Sequence, residues 1–426
     1  MIRAPIASAQ VDLIIRTFYA ELPTEATDHR YTALQTYSFM AESNTTASTP
    51  LSHLALLYLK LGVTAFGGPA AHIAMMEDEV VRRRGWVSHE EFLDLLGATN
   101  LIPGPNSTEM AIHMGYQRAG VRGLLIAGAC FIFPAVAITL LIARLYVAYG
   151  TTPQFLPIIA GIRPAVIAII LGAIVRLGKP VVRNRFVLAL GVFVTILAII
   201  GVDPIILLLA SGALGLLWRY RDRISQSSAA IIPALMLVGS QTPGATDQPT
   251  IPGLALFFLK IGSILYGSGY VLVAFLQSGL VESRHWLTHR QLLDAITVGQ
   301  FTPGPVLSTA TFIGYVIGGF PGSVAATIGI FLPSFVFVLI SNPFIPKIRR
   351  SPLASGFLDG VNAAALGLML AVTVQLAAAS LSNPGSWTLF ILASTLLIFR
   401  TINGAWIVIG SGLLSWLFAL LRQLIG

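Results

Sequence analysis

Residues 97–116 read GATNLIPGPNSTEMAIHMGY, and residues 299–315 read GQFTPGPVLSTATFIGY. Both stretches place Pro-Gly-Pro inside an apolar segment and follow it with a Gly-Tyr pair. Proline lacks a backbone donor and clashes with the preceding helical turn, and glycine accepts positive φ, so a helix is expected to break at each point. The chain therefore carries the same broken helix twice.

The similarity extends outward from these stretches at a spacing of about 200 residues. Residues 59–105 share fourteen identities with residues 259–305 without a gap, including Lys60, Trp86 and His89. Chance similarity between apolar helices does not place such residues together, so the sequence predicts a duplicated domain. We expect a polar tail at 1–50, a first repeat at 51–223, a linker at 224–251 and a second repeat at 252–426.

The composition excludes a water-soluble protein. Hydrophobic residues make up 55% of the 426 residues and charged residues 10%, whereas a soluble protein carries about 25% charged residues. Several apolar runs approach or reach the roughly 17–25 residues that cross a bilayer as a helix. We therefore expect an all-α polytopic protein of about 12–13 hydrophobic segments, multi-pass in the plasma (inner) membrane and surrounded by the lipid bilayer.

Loop charges predict that the two halves have inverted topology. The net charge of +8 fits cytoplasmic loops rather than nucleic-acid binding, because Lys and Arg mark the cytoplasmic side. Arg118 and Arg122 follow the second apolar segment of the first half only, whereas Lys347 and Arg349 follow the third segment of the second half only. Inversion requires one extra crossing, for which a short apolar run at 229–239 is the candidate.

The first 50 residues lack the basic start and apolar core of a cleaved signal peptide. They are predicted to be a disordered or surface-lying tail. A true start at Met40, directly before a polar stretch and the first apolar helix, is the alternative.

Two Gly/Pro breaks in each half are the candidate substrate-binding points. Broken backbone at membrane depth survives only where it is buried in protein or lines a cavity. Each renewed helix then offers free N–H groups and a positive dipole end to an anion. Proline kinks used only for packing are the alternative. The candidates are Gly67, Gly68, Pro69, Pro103, Gly104, Pro105, Asn106, Ser107 and Thr108, with Gly267, Ser268, Pro303, Gly304 and Pro305 in the second half.

Five charged or titratable residues fall inside apolar segments. Lys60 and Lys260 occupy matching positions, and an intramembrane lysine normally faces a cavity or a partner. We predict that they bind substrate, with snorkelling to the interface as the alternative. Glu109 and His113, four residues apart on one helix face, and Arg163 are candidates for proton coupling. A structural ion pair between Glu109 and Arg163 is the alternative.

No enzyme motif occurs in the chain: there is no phosphate-binding P-loop, HExxH motif or G-x-S-x-G elbow. The single cysteine, Cys130, provides neither a disulfide nor a cysteine-ligated metal site. We predict a protein that is not an enzyme and needs no cofactor or metal.

The order of the motifs resembles the long, two-domain form of the chromate ion transporter family. The resemblance rests on Phe66-Gly67-Gly68-Pro69 with His72, Trp86, Phe92, Pro103-Gly104-Pro105, Gly115-Tyr116, Gly120, Gly123 and Phe133-Pro134. It implies export of chromate across the plasma membrane and chromate resistance, coupled to protons or to exchange with sulfate. It also implies that the Gly/Pro breaks form the oxyanion site.

The sequence leaves three alternatives open. Uptake of sulfate or a related oxyanion would use the same chemistry as chromate export. The protein is either a monomer or a homodimer. The first two segments of each half either cross the membrane or turn back at the Gly/Pro breaks.

Overall fold

A computed structural model describes residues 49–65, 68–100, 102–150, 152, 156–182, 184–224, 248–266, 269, 271–342, 352–399 and 404–425. Over these residues the chain is helical and forms no strand. The tail up to residue 48, the predicted short helix at 229–239 and three candidate residues, Gly67, Gly267 and Ser268, lie outside the described residues.

The same order of helices occurs in both halves of the described chain. The first half contains α1 (Leu51–Thr64), α2 (Pro69–Glu77), α3 (His89–Thr99), α4 (Asn106–Tyr149), α5 (Leu156–Val182), α6 (Arg185–Ile199) and α7 (Pro204–Ile224). The second contains α8 (Ile251–Ile264), α9 (Leu272–Leu276), α10 (His289–Phe301), α11 (Thr309–Ser341), α12 (Pro352–Ser380), α13 (Pro384–Phe399) and α14 (Gly404–Ile425). Wider π-helical turns extend α2 and α9 over Asp78–Arg83 and Gln277–Ser283.

The prediction of an all-α polytopic membrane protein is confirmed, although the helices are less uniform than expected. Among the described residues, four helices are long and apolar enough to cross a membrane: Asn106–Tyr149, Leu156–Lys179, Val306–Ser341 and Ser355–Ser380. Seven further apolar helices are shorter. The variation arises because the chain turns back on itself inside several of the predicted segments.

The 44-residue helix α4 is a hairpin of two arms. Ala119 and Gly120 have non-helical backbone angles, and the backbones of Gly115 and Gly123 are in contact. Eight residues of continuous helix would separate these two glycines by about 12 Å. The first arm (106–118) therefore folds back on the second arm (121–149). In α11, the break at Gly318–Gly319 makes the same reversal.

The first predicted segment of each half, at 51–76 and 253–277, is also a hairpin; in the second half the Phe257 ring of α8 lies against Gly279, just after α9. The Lys60 ammonium lies 2.6 Å from the Glu79 carboxylate, and the His72 ring contacts the Ala65 carbonyl. These contacts place α2 antiparallel to α1, with the Gly/Pro break at the tip. At 14 residues, α1 is about 21 Å long, too short for the roughly 30 Å of a bilayer core.

The helix α3 and the first arm of α4 form another hairpin. Trp86, which precedes α3, lies under the guanidinium of Arg118, the last residue of that arm, with 5.3 Å between the guanidinium carbon and the ring centroid. The Arg118 Nε also donates to Thr49 Oγ1, just before α1, at 2.9 Å. The bases of both hairpins thus lie together, and Pro103-Gly104-Pro105 forms a tip. In the second half, Gly253 lies beside Trp286 and Gly318 beside Ile251, which brings the hairpin bases together in the same way. The segments of both halves therefore turn back at the breaks.

The long arms of α4 and α11 cross in opposite directions. Leu124, at the start of the second arm of α4, packs with Val338 near the end of α11. One helical turn further on, Gly128 lies against the Phe335 ring. Around this crossing, α5 packs on α14 and α7 on α12, where Gly161, Gly215 and Gly360 contact backbone atoms of the opposite half. Small residues allow this close approach of membrane helices.

Candidate substrate site at the helix breaks

The breaks of the two halves are joined by reciprocal backbone hydrogen bonds. The Gly104 N–H donates to the Leu265 carbonyl at 2.6 Å, and the Gly304 N–H donates to the Ala65 carbonyl at 2.9 Å. Each Pro-Gly-Pro tip of one half therefore meets the first break of the other half. We call this meeting point the junction.

Glycine is required at both Pro-Gly-Pro tips. Gly104 has φ +146° and Gly304 has φ +86°, values that L side chains rarely adopt. A Cβ on Gly104 would collide with the Glu109 carboxylate and lie 2.7 Å from the Ser334 hydroxyl. A Cβ on Gly304 would lie 3.0 Å from the Ala135 side chain. The backbone thus approaches its neighbours too closely for any larger residue.

The helix α4 begins at the junction, directly after Pro105. The Pro105 carbonyl accepts from the N–H groups of Thr108 and Glu109, at 2.8 and 3.0 Å, which starts the helix at the break. The Asn106 amide donates to the Asn100 side-chain oxygen across the tip. The positive end of the α4 dipole consequently lies at the junction, as the sequence predicted for this break.

His72 is a junction residue that the site prediction missed. Its ring is buried and its Nε2 lies 3.0 Å from the Ala65 carbonyl oxygen, with Nδ1 3.3 Å from Ser107 Oγ. A carbonyl can only accept, so Nε2 carries the proton and Nδ1 accepts from the hydroxyl. His72 therefore links both breaks of the first half. Its presence in the family-like motif was the only signal, because Leu272 replaces it in the second half.

Glu109 is enclosed at the junction without a partner. Its side chain has no solvent exposure, and neither carboxylate oxygen has a hydrogen-bond partner among the described residues. The buried hydroxyls of Thr108 and Ser334 also have none there. His113 is fully buried one turn along α4, and neither of its ring nitrogens has a hydrogen-bond partner among the described residues.

The second half offers hydroxyl groups where the first offers a carboxyl group. The second-half hydroxyls of Thr302 and Ser308 lie 3.4 and 3.3 Å from the hydroxyl of Thr139, which comes from the second arm of α4 in the first half. All three residues are buried. The two faces of the junction are therefore related in backbone and different in chemistry.

The remaining candidate residues that the structure describes lie beside the backbone hydrogen bonds of the junction. Gly68 has φ +82° and precedes Pro69, the first residue of α2. Pro103 and Pro105 flank Gly104, and Pro303 and Pro305 flank Gly304. These prolines remove backbone donors on either side of the glycine N–H that joins the halves.

The structure does not place Lys60 with the breaks. Its ammonium donates to Glu79 Oε1 at 2.6 Å, and its side chain is 52% exposed. Lys260 is partly buried and belongs to no ion pair among the described residues; Gly279 stands in the second half where Glu79 stands in the first. The predicted lysine contribution to the site therefore finds no support in the geometry.

The suggested ion pair between Glu109 and Arg163 is wrong. Arg163 donates from Nε and Nη2 to the two carboxylate oxygens of Asp294, each at 2.9 Å. The Tyr146 hydroxyl donates to the same carboxylate at 2.8 Å. This bidentate, charge-assisted pair ties α5 to α10, so Arg163 is held by Asp294 rather than placed at the junction with Glu109.

Broken helices that meet at a buried polar junction, within a duplicated helical fold, define the class of polytopic membrane transporters. The chain belongs to the chromate transporter family, whose model, described as "Chromate transporter", matches residues 52–216 and 253–416. These two ranges fall within the two predicted repeats.

Curated relatives cover nearly the whole family region. The chain is 31% identical over 381 residues to the chromate transport protein of Cupriavidus metallidurans, covering 87% of this chain and 94% of the relative. It is 32% identical to a probable chromate transport protein of Synechococcus elongatus, covering 80% and 88%. It is 31% identical to the chromate transport protein of Pseudomonas aeruginosa, covering 86% and 93%. No solved structure matches the chain significantly.

Proposed function

We propose that the protein exports chromate across the plasma membrane, and so confers chromate resistance, with the junction as its substrate site. Family membership and relatives named as chromate transport proteins support the substrate. The observation that carries the site is the reciprocal pair of hydrogen bonds, from Gly104 to Leu265 and from Gly304 to Ala65. These bonds hold the broken helices of both halves at one buried point.

The chemistry of the junction suits a tetrahedral oxyanion. The α4 dipole end attracts negative charge, and free N–H groups of a first helical turn donate to anion oxygens. The buried hydroxyls of Thr108 and Ser334, which have no partner among the described residues, add neutral donors. Chromate can thus be held without a metal or a paired lysine.

We further propose that the two halves are inverted in the membrane and alternate in exposing the junction to either side. The antiparallel crossing of α4 and α11 supports this. Because α5 returns the chain to the side of the hairpin bases, Lys179 joins Arg82 and Arg118 there, and this group of positive charges marks that side as cytoplasmic. One crossing within residues 224–251 completes the arrangement.

The membrane potential, negative inside, favours export of a dianion, and coupling to protons or to exchange with sulfate would change the concentration gradient that the protein can sustain. Uptake of sulfate or a related oxyanion is the second candidate function, since sulfate has the same shape and charge as chromate. Radiolabelled chromate and sulfate flux in inverted vesicles separates them. Chromate accumulation in such vesicles supports export, whereas sulfate flux without chromate flux rejects it.

The substrate site is tested by Gly104→Ala. We expect this change to abolish chromate flux, because the new Cβ collides with Glu109 and strains a backbone of positive φ. Gly97→Ala is the matched control: this α3 glycine has nothing within 4 Å of an added Cβ, and its flux should be unchanged. Both variants are measured in inverted vesicles at equal membrane expression. Normal flux in Gly104→Ala would reject the junction as the site.

A further inference from the structure

The Glu109 carboxyl group lies where an oxyanion would meet the break. Its Oε1 is packed against the Gly104 backbone. A Cβ added to Gly104 would collide with this oxygen and would also lie 2.7 Å from the Ser334 hydroxyl. It is fully buried, and both oxygens lack a hydrogen-bond partner among the described residues. A carboxylate and a chromate oxygen accept the same donors. An ionised Glu109 would therefore compete with the substrate anion for the same hydrogen-bond donors.

The groups that face Glu109 do not neutralise it. His113 follows it by one turn on the same helix, and His72 contacts the neighbouring Ser107. Tyr266 directly follows Leu265, whose carbonyl oxygen accepts from the Gly104 N–H at the junction. No described ion pair or hydrogen bond connects Glu109 to a Lys or Arg. A charged carboxylate here would repel a second anion, and the repulsion is strong because the site is buried and of low dielectric constant.

We propose that Glu109 couples oxyanion transport to protons: the anion binds only while Glu109 carries a proton, loss of that proton expels it, and the proton and the anion therefore cross in the same direction, with the membrane potential driving export of the net negative charge. The protonated carboxyl changes from a competing acceptor into a donor for the bound anion. At spacings of 199 and 200 residues from Glu109, the second half has Ser308 and Thr309. The carboxyl group of Glu109 therefore has no equivalent carboxyl group at these positions in the second half. This proposal rests on the proposed function and adds the coupling ion and the residue that carries it.

The proposal is tested by chromate binding to the purified full chain across the alkaline range, where chromate carries no proton of its own. Binding linked to one proton predicts that the wild-type Kd rises with pH, by up to tenfold per pH unit. Glu109→Gln, which resembles the protonated side chain, should bind chromate with a Kd independent of pH. Glu90→Gln, a change at an exposed carboxylate of α3, should keep the wild-type slope.

A second readout follows protons directly. In proteoliposomes with an internal pH-sensitive dye, chromate flux through the wild type should move protons, and flux through Glu109→Gln should not. Should Glu109→Gln fail to fold, His113→Gln decides: it keeps the pH slope if Glu109 is the coupling residue and loses the slope if the imidazole is.

Two outcomes overturn the proposal: a pH slope that persists in Glu109→Gln, or a wild-type Kd that does not change with pH. The failure of the proposed function looks different, because a wild-type protein that neither binds nor transports chromate at any pH rejects chromate as substrate.

Discussion

The Glu79 carboxylate shows how a charge near the membrane is held by its neighbours. It accepts a hydrogen bond from Lys60 at 2.6 Å and lies 3.6 Å from Arg83 and 3.4 Å from Arg84. The hydrogen bond from Lys60, more than the arginine charges, lowers the pKa of Glu79 below its ordinary range. Because Lys60 lies on α1 and Glu79 follows α2, the cluster clamps the first hairpin together.

This clamp predicts a pH-dependent contribution to stability. The pKa of Glu79 is lower in the folded protein than in the unfolded chain, so its stabilisation is complete above the ordinary glutamate pKa of about 4.3 and is lost as the pH falls below it. We expect Glu79→Gln to lower the free energy of unfolding by about 1 kcal/mol at neutral pH and to remove that part of the acid sensitivity. Thermal unfolding in detergent over a pH series measures both.

Chromate flux should survive Glu79→Gln and Lys60→Gln, because neither side chain is placed at the junction. Glu90→Gln, at an exposed site, serves as the stability control. Loss of flux in Lys60→Gln at normal stability would return this lysine to the substrate site and contradict the geometry.

At the scale of the helices, close glycine contacts determine where the chain reverses. Gly115 and Gly123 touch within α4, and Gly314 and Gly322 touch within α11. The turn of each hairpin contains a glycine of positive φ, which is Gly120 in α4 and Gly319 in α11. Backbones this close leave no room for a Cβ. The arms therefore pack side by side, which keeps the tips and bases of the hairpins in register.

We predict that Gly115→Ala destabilises the protein, since the new Cβ would overlap the Gly123 carbonyl oxygen and lie 2.6 Å from the Ala127 Cβ. Gly410→Ala is the matched control in α14, where nothing lies within 4 Å of an added Cβ. That change should be neutral or stabilising by up to about 1 kcal/mol, because alanine is the better helix former. The apparent Tm in detergent compares the two, and equal values would contradict the hairpin contact.

At the scale of the whole molecule, the two halves are alike in backbone and unlike in charge. The bonds from Gly104 to Leu265 and from Gly304 to Ala65 are reciprocal, as a two-fold relation between halves requires. The pair between Arg163 and Asp294 has no such counterpart, since Asn362 replaces the arginine in the second half. The two halves therefore share a backbone frame and differ in the charged groups that it carries.

Inverted halves predict opposite accessibility for equivalent turns. In a Cys130→Ala background, Gly120→Cys should react with a membrane-impermeant maleimide from the cytoplasmic side and Gly319→Cys from the outer side. Both positions have nothing within 4 Å of an added Cβ and nearly equal φ, +59° and +60°, so each serves as the steric control of the other. Labelling in intact cells and inverted vesicles measures the side, and reaction from the same side would reject inversion.

Local rules were enough to predict the breaks, because Pro and Gly act on the backbone within a turn of their own position. The partners of the buried charges could not be predicted in this way. Arg163 meets Asp294, 131 residues away, and His72 reaches both Ala65 and Ser107. Such pairings depend on how hairpins pack, and no spacing along the chain encodes that.

By itself, the sequence determined the helical membrane class, the duplication and the positions of the Gly/Pro breaks, because hydropathy and backbone restrictions are properties of short segments. Only the tertiary structure decided that the broken segments turn back as hairpins, that their tips meet across the halves, and that Glu109 rather than Lys60 lies there. Those outcomes follow from close backbone packing between residues far apart in the chain, which fixes the neighbours of each side chain and hence its chemistry.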